Sequence, residues 1–288
     1  MTRIALFLLT NLAVIVIANI TLNLLGVASY LYQPDSDLDM KSLLFFCAAF
    51  GFSSSFVSLF ISKWMAKRAT GIRLINTPHT AEEGWLLETV RDLADKAKIG
   101  RPEVGIFPAQ QSNAFATGWN SNNALVAVSA GLLHRFDKNE VRAVLGHEIG
   151  HVTNGDMTTL ALVRGVVNTF VMFFARIIGN TVDRVILKNE RGHGIGFYIT
   201  TFVEELVLAF LANMIVARFS HKREFRAYVA GANLCDKHSM ISALRRLQSE
   251  ARQPIAEEMP DTLKAFAISS NFSTKMMAAF ATHPPLEV

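Results

Sequence analysis

Between Arg3 and Asp35 the chain carries no charged residue, and no other feature limits its fold so strongly. About 20 apolar residues are enough for a helix to cross the hydrocarbon of a bilayer. A second uncharged run, Ser42 to Ser62, is rich in Phe and in small residues (Ala48, Ala49, Gly51, Ser53, Ser54, Ser55) that let helices pack closely. A cleaved leader has a shorter apolar core and no second span close behind it, so residues 1–62 read as a transmembrane hairpin. Composition agrees: 51% of residues are apolar and the mean hydropathy is +0.29, above that of an ordinary soluble domain.

Basic residues orient the hairpin. Arg3 precedes the first span, and Lys63, Lys67, Arg68 and Arg73 follow the second, whereas the connection holds Asp35, Asp37 and Asp39 against Lys41. The positive-inside rule then places the N-terminus and everything from Lys63 in the cytoplasm. These flanking cations account for the net charge of +4, and no nucleic-acid partner is expected. Cys47 falls inside a span and Cys235 has no evident mate, so no disulfide is expected.

From 63 to 156 the pattern becomes that of a mixed soluble region. Thr80 and Glu83 form a predicted capping box that opens a helix with Trp85, Leu86, Val90, Leu93 and Ala97 on one side; Gly100-Arg101-Pro102 ends it. Short strands are predicted at Glu103 to Phe107, Asn113 to Thr117 and Ala124 to Ser129. A second capping box, Asp137 to Glu140, starts a helix with Val141, Val144, Leu145, Ile149 and Val152 at helical spacing, closed by Asn154-Gly155. The expected class is α+β. The edge of such a sheet can hold an extended peptide by main-chain hydrogen bonds.

That second helix carries His147-Glu148-Ile149-Gly150-His151. One turn separates the two imidazoles, so both can reach one metal ion, with Glu148 beside them to accept a proton from water. A core helix with two satisfied histidines is the bland alternative, but buried His pairs flanking a carboxylate are uncommon without a metal. Two further hydrophobic segments, Thr158 to Ile178 and Ile195 to Phe219, make up the region 157–219. Arg164, Arg176, Glu204, Glu205 and Arg218 interrupt them, so they read either as spans or as a hairpin dipping into the membrane. A catalytic zinc needs a third protein ligand. Asn154 and Met157 stand where metzincins carry a Gly and a His, and Val166 to Arg176 holds no acid of the thermolysin kind. Glu204, Glu205, His221, Glu224, His238 and His283 remain. Glu224 is favoured because Arg223-Glu224-Phe225-Arg226-Ala227 follows the last apolar segment at the start of the C-terminal region 220–288; a surface ion pair is its alternative.

Along nearly its whole length the chain resembles the HtpX-like membrane zinc metalloproteases. The likeness rests on Arg3 to Leu12, Phe56-Val57-Ser58-Leu59, Ser62 to Ala66, Asn113 to Gly118, the His147 motif with Asn154-Gly155-Asp156, Arg223 to Ala227, and His283-Pro284-Pro285. It implies a membrane-anchored zincin-like peptidase with one Zn²⁺ per chain, held by His147, His151 and Glu224, with Glu148 as the catalytic base. Asn113, Ala114 and Phe115 would lie on the strand lining the substrate cleft, and His283 would stand nearby. The same resemblance implies a bacterial inner-membrane protein whose active site faces the cytoplasm and cleaves damaged or misassembled membrane proteins or unfolded polypeptides. Two departures stand out: Tyr228 replaces an Asp expected to orient a ligand His, and the chain stops at Leu286-Glu287-Val288 where the family pattern continues. They leave open a weakened enzyme, or a non-catalytic membrane binding protein that keeps the fold.

Overall fold

The computed structural model describes residues 15–18, 20, 23–24, 40–188 and 195–251. The expected first span therefore lies largely outside the described residues, as do His283 and the C-terminal tail. In chain order the elements are α1 (Met40–Thr70), β1 (Arg73–Leu74), α2 (Ala81–Ala97), β2 (Glu103–Phe107), β3 (Ala114–Gly118) and β4 (Ala124–Ser129). Then come α3 (Ala130–Arg135), α4 (Lys138–Thr153), α5 (Asp156–Thr181), a π-helical turn (Val182–Ile186), α6 (Ile195–Leu234) and α7 (Lys237–Ala251). They divide into two compact units, one of Met1–Ser58 with Leu160–Val216 and one of Leu59–Thr159 with Ala217–Val288.

In the first unit the helices approach closely at small residues. A Cβ on Gly51 would lie 2.8 Å from the Thr169 backbone nitrogen, and one on Gly165 would strike the Phe52 ring. The charges that interrupt the later apolar segments are partly met within this unit. Arg176 Nη1 stands 3.4 Å from Glu205 Oε1, with its guanidinium over the Phe46 ring. Partnering of this kind lowers the cost of an ionisable group among apolar surroundings. α5 and α6 are accordingly unbroken helices, and Met40–Thr70, Asp156–Thr181 and Phe197–Leu234 are each long and apolar enough to cross a membrane. Phe202, Leu206 and Phe210 stay exposed along α6, as a face meeting lipid tails would be.

The second unit is built on a four-stranded sheet of order β1-β2-β4-β3, with β2 and β4 parallel and the outer pairs antiparallel. Side chains alternate between its faces. Val104, Ala114, Val126 and Val128 join Leu86, Val90, Leu93, Val144, Leu145, Ile149 and Leu247 from α2, α4 and α7 in the main core. Phe107, Phe115 and Ala127 face the other way, onto Ala66 near the end of α1. β4 is buried on both faces and reads as near-continuous apolar sequence because it is central. The chain runs from β2 out to β3 and back through 119–123 into β4, which leaves β3 at an edge. Gly118 makes that hairpin fit: its φ is +148°, and a Cβ there would sit 2.3 Å from Asn123 O.

Local differences from expectation have local causes. Thr80 does cap α2, accepting from Glu83 N, but the Glu83 carboxylate takes the His79 N–H and pairs with Arg73 instead of returning to the cap residue. α2 ends before Gly100, at Lys98 in left-handed conformation (φ 56°), whose N–H bonds to Ala94 and Asp95. α3 has too few residues to show a hydrophobic period; Ser129 caps it by accepting from Leu132 N.

Candidate metal centre

α4 begins at a full capping box: Asp137 accepts from Asn139 N and Glu140 N, and Glu140 reaches back to Asp137 N. Nearly the whole helix from Glu140 to Val152 is buried, because the sheet, α2 and α7 pack on it and α6 crosses it. The crossing with α6 is a contact of backbones. A Cβ on Gly150 would come within 3.1 Å of Ala227 O, one on Gly146 within 2.8 Å of Cys235 Sγ, and one on Gly231 within 2.8 Å of His147 N. This closeness lets Glu224, about two turns before Gly231, reach across to α4. Gly231→Val is therefore expected to destabilise the protein by about 1–3 kcal/mol from overpacking. It should also lower metal content, read by thermal unfolding and metal analysis. Gly84→Ala is the control: its Cβ meets nothing nearer than Pro78 Cβ at 3.9 Å, so it should stabilise α2 by about 1 kcal/mol.

His147 Nε2 and His151 Nε2 are 3.2 Å apart, and each is 3.3 Å from Glu224 Oε2. A tetrahedral ion bonded to nitrogen and oxygen at about 2.0–2.1 Å keeps its ligand atoms about 3.3 Å apart, so this triangle has the edge length of one face of a zinc site. Among the described residues these three form the group that could share an ion. Glu148 is buried beside them at 4% exposure. Glu224 is wholly buried, which removes the surface ion pair as an account of it; its Oε1 accepts from Arg223 Nη2 at 3.2 Å.

Asp156 supplies an orienting contact that the sequence reading did not assign. Its carboxylate lies 2.7 Å from His151 Nδ1, which turns Nε2 toward the triangle. Gly155, at φ +64°, makes the turn that folds the first residue of α5 back under α4. The signal available in sequence was an acid just beyond the second His, separated from it by a Gly. Burial pulls the His147 pKa down, opposed by the Glu224 carboxylate. Burial also acts to lower that of His151, but the Asp156 and Glu224 carboxylates outweigh it and lift the value to about 9. A metal ion would displace that proton, since imidazole ligates in its neutral form.

Tyr228 stands where a carboxylate was expected. Its ring stacks on His147 with centroids 4.4 Å apart and planes inclined at 28°, so it bounds the imidazole by contact rather than by charge. Its hydroxyl is buried without a hydrogen-bond partner among the described residues. Among the described residues no other third-ligand candidate joins the group that could share an ion: Glu205 pairs with Arg176 in the first unit, and His238 is exposed. Asn113, Ala114 and Phe115 are buried at the start of the edge strand, which packs against α4.

A buried His–His–Glu triangle with a neighbouring acid, beside an edge strand and on a chain of membrane-length helices, fits a membrane metalloprotease. The chain belongs to Peptidase family M48, whose sequence profile matches residues 80–288. It is 60% identical over 287 residues to "Protease HtpX" of Cellvibrio japonicus (strain Ueda107), covering 100% of this chain and 96% of that protein. It is also 60% identical to "Protease HtpX" of Hahella chejuensis (strain KCTC 2396), covering 100% and 97%. The fold is similar to the crystal structure of S. mikatae Ste24p, with a TM-score of 0.56 and 15% identity. That likeness covers 84% of this chain and 56% of the other.

Proposed function

We propose that the ion is Zn²⁺, one per chain, ligated by His147, His151 and Glu224, and that Glu148 is the catalytic base of an endopeptidase. The observation that carries this reading is the 3.2–3.3 Å triangle of ligand atoms in a buried site. Bound Zn²⁺ would supply Lewis acidity and lower the pKa of water toward neutrality. Glu148 would take a proton from the attacking water and return it to the leaving amine. Asp156 would hold the His151 tautomer, and Arg223 would neutralise the Glu224 oxygen turned away from the ion. The edge strand would hold substrate. Asn113 O already accepts from Ser129 N, so ladder alternation turns the N–H and C=O of Ala114 and Ala116 outward, leaving Asn113 and Phe115 to shape the strand. The non-catalytic alternative has no observation in its favour, since Tyr228 packs on His147 while the triangle stays assembled.

Location and substrates follow from the same reading. The basic residues in the last turns of α1 and just beyond it support an inner-membrane protein whose Leu59–Thr159 and Ala217–Val288 unit lies in the cytoplasm, where it would cleave damaged or misassembled membrane proteins. The hairpin of 1–62 would anchor it, with 63–156 and 220–288 forming the peptidase and 157–219 re-entering the bilayer.

Purified protein should hold one zinc per chain and cleave an unfolded polypeptide, with chelation abolishing cleavage and zinc restoring it. Cleavage that persists after complete metal removal would overturn the assignment. Single-cysteine labelling in a background without Cys47 and Cys235 should show Asp37→Cys reacting from outside the cytoplasm and Lys138→Cys from inside. The reverse pattern would place the site on the other face.

A further inference from the structure

The connection 119–123 between β3 and β4 is tied down at both ends. The Trp119 ring lies against that of Phe60 in α1, with centroids 5.7 Å apart, and its carbonyl accepts from Thr158 Oγ1 in the first turn of α5 at 3.2 Å. At the other end Asn123 Oδ1 accepts from Lys63 Nζ. Phe60 and Thr158 mark where the two membrane-length helices cross the boundary of this unit, at Leu59 and Thr159. The connection thus sits at the level where the peptidase unit gives way to apolar helix.

The same place leaves large rings uncovered. Phe60, Trp64 and Trp119 are 58%, 46% and 41% exposed, although the third tryptophan of the chain, Trp85, packs against the core. Cations surround them: Arg68 lies over the Trp64 ring, and Lys63 and Lys67 share Glu103. Indoles with one apolar and one polar side, interleaved with Lys and Arg whose stems are apolar, match the headgroup zone of a bilayer. A protein partner would require the adjoining helices to leave the membrane before reaching it.

We propose that Phe60, Trp64 and Trp119 lie in the lipid headgroup zone and hold the β3–β4 connection at the bilayer surface. β3 ends at Gly118, next to Trp119, so the edge strand opens at that surface. A polypeptide segment adjoining a membrane span can then reach the strand without extraction, whereas a freely diffusing chain gains nothing from the arrangement. This consequence rests on the peptidase reading; the lipid contact does not.

The test uses the full chain in phosphatidylcholine–phosphatidylglycerol vesicles, as three variants that each keep one tryptophan and carry Phe at the other two. Lipids brominated near the headgroup should quench Trp119 and Trp64 strongly and leave Trp85 unquenched. Trp119→Glu should slow cleavage of a membrane-tethered reporter about tenfold while a soluble peptide is cleaved at the original rate. Trp119→Phe should restore the reporter rate. Quenching of Trp119 by aqueous iodide alone, or protection from both quenchers by a protein covering, would overturn the lipid contact. Equal slowing of both substrates would overturn the substrate consequence. If the unaltered chain cleaves neither substrate, the peptidase reading fails while the quenching result still decides the lipid contact.

Discussion

Glu148→Gln is expected to keep its metal and lose its proteolysis. Gln has nearly the shape of Glu and fits the same 4%-exposed position, so the ligand triangle around it is undisturbed. Only the capacity to accept a proton disappears, and general bases contribute typically about 10²–10⁴-fold to rate. kcat should fall by that factor with zinc content, thermal stability and substrate KM unchanged. Metal analysis and a peptide-cleavage assay on one preparation check it. Full activity in the variant would move the base to another residue.

Glu224→Ala should remove the metal itself. Its Oε2 is the corner 3.3 Å from both imidazoles, and its Oε1 meets the Arg223 guanidinium. Losing an outer-sphere partner typically costs about 10–100-fold in metal affinity, and losing a direct ligand should exceed the upper end of that range. The metal-free protein should suffer as well. Removing one member of a buried charged network typically costs about 3–5 kcal/mol, here because Arg223 and the histidines lose their carboxylate. Glu224→Gln separates the effects, keeping the packing while removing the charge. Asp156→Asn, which disturbs only the His151 contact, should fall within the 10–100-fold range. Zinc titration by chelator competition measures all three. Unchanged affinity in Glu224→Ala would overturn its assignment as the third ligand.

How much of this could be read from the residues depends on the range of the interactions. The α4 helix, its capping box and the His147–His151 pair follow from spacings of three and four residues, and the strands β2, β3 and β4 lie within a residue of their expected positions. Closing α2 at Lys98 rather than Gly100 is a matter of which residue tolerates a left-handed turn, and a lysine is not a usual choice for it. The charges interrupting the segments behind α5 and α6 left open whether these span the membrane or dip into it, because each charge was counted alone. Arg176 and Glu205 come from different helices, and their pairing appears only when those helices pack.

By itself the sequence determined the membrane character, the soluble region between the apolar segments, and the two imidazoles with their adjacent acid, because each depends on local composition or helical period. Tertiary structure alone decided that β3 is an edge while β4 is central, since strand order arises from pairings between distant segments. It likewise decided that Glu224 is a buried corner of the metal site and not a surface ion pair. Glu224 sits in an exposed-looking run, Arg223-Glu224-Phe225-Arg226, and only the backbone contact of Gly150 with Ala227 and of Gly231 with His147 brings α6 near enough to α4. Three glycines and an alanine at a helix crossing carry no chemistry that announces a site, yet the distance they permit is what completes the triangle.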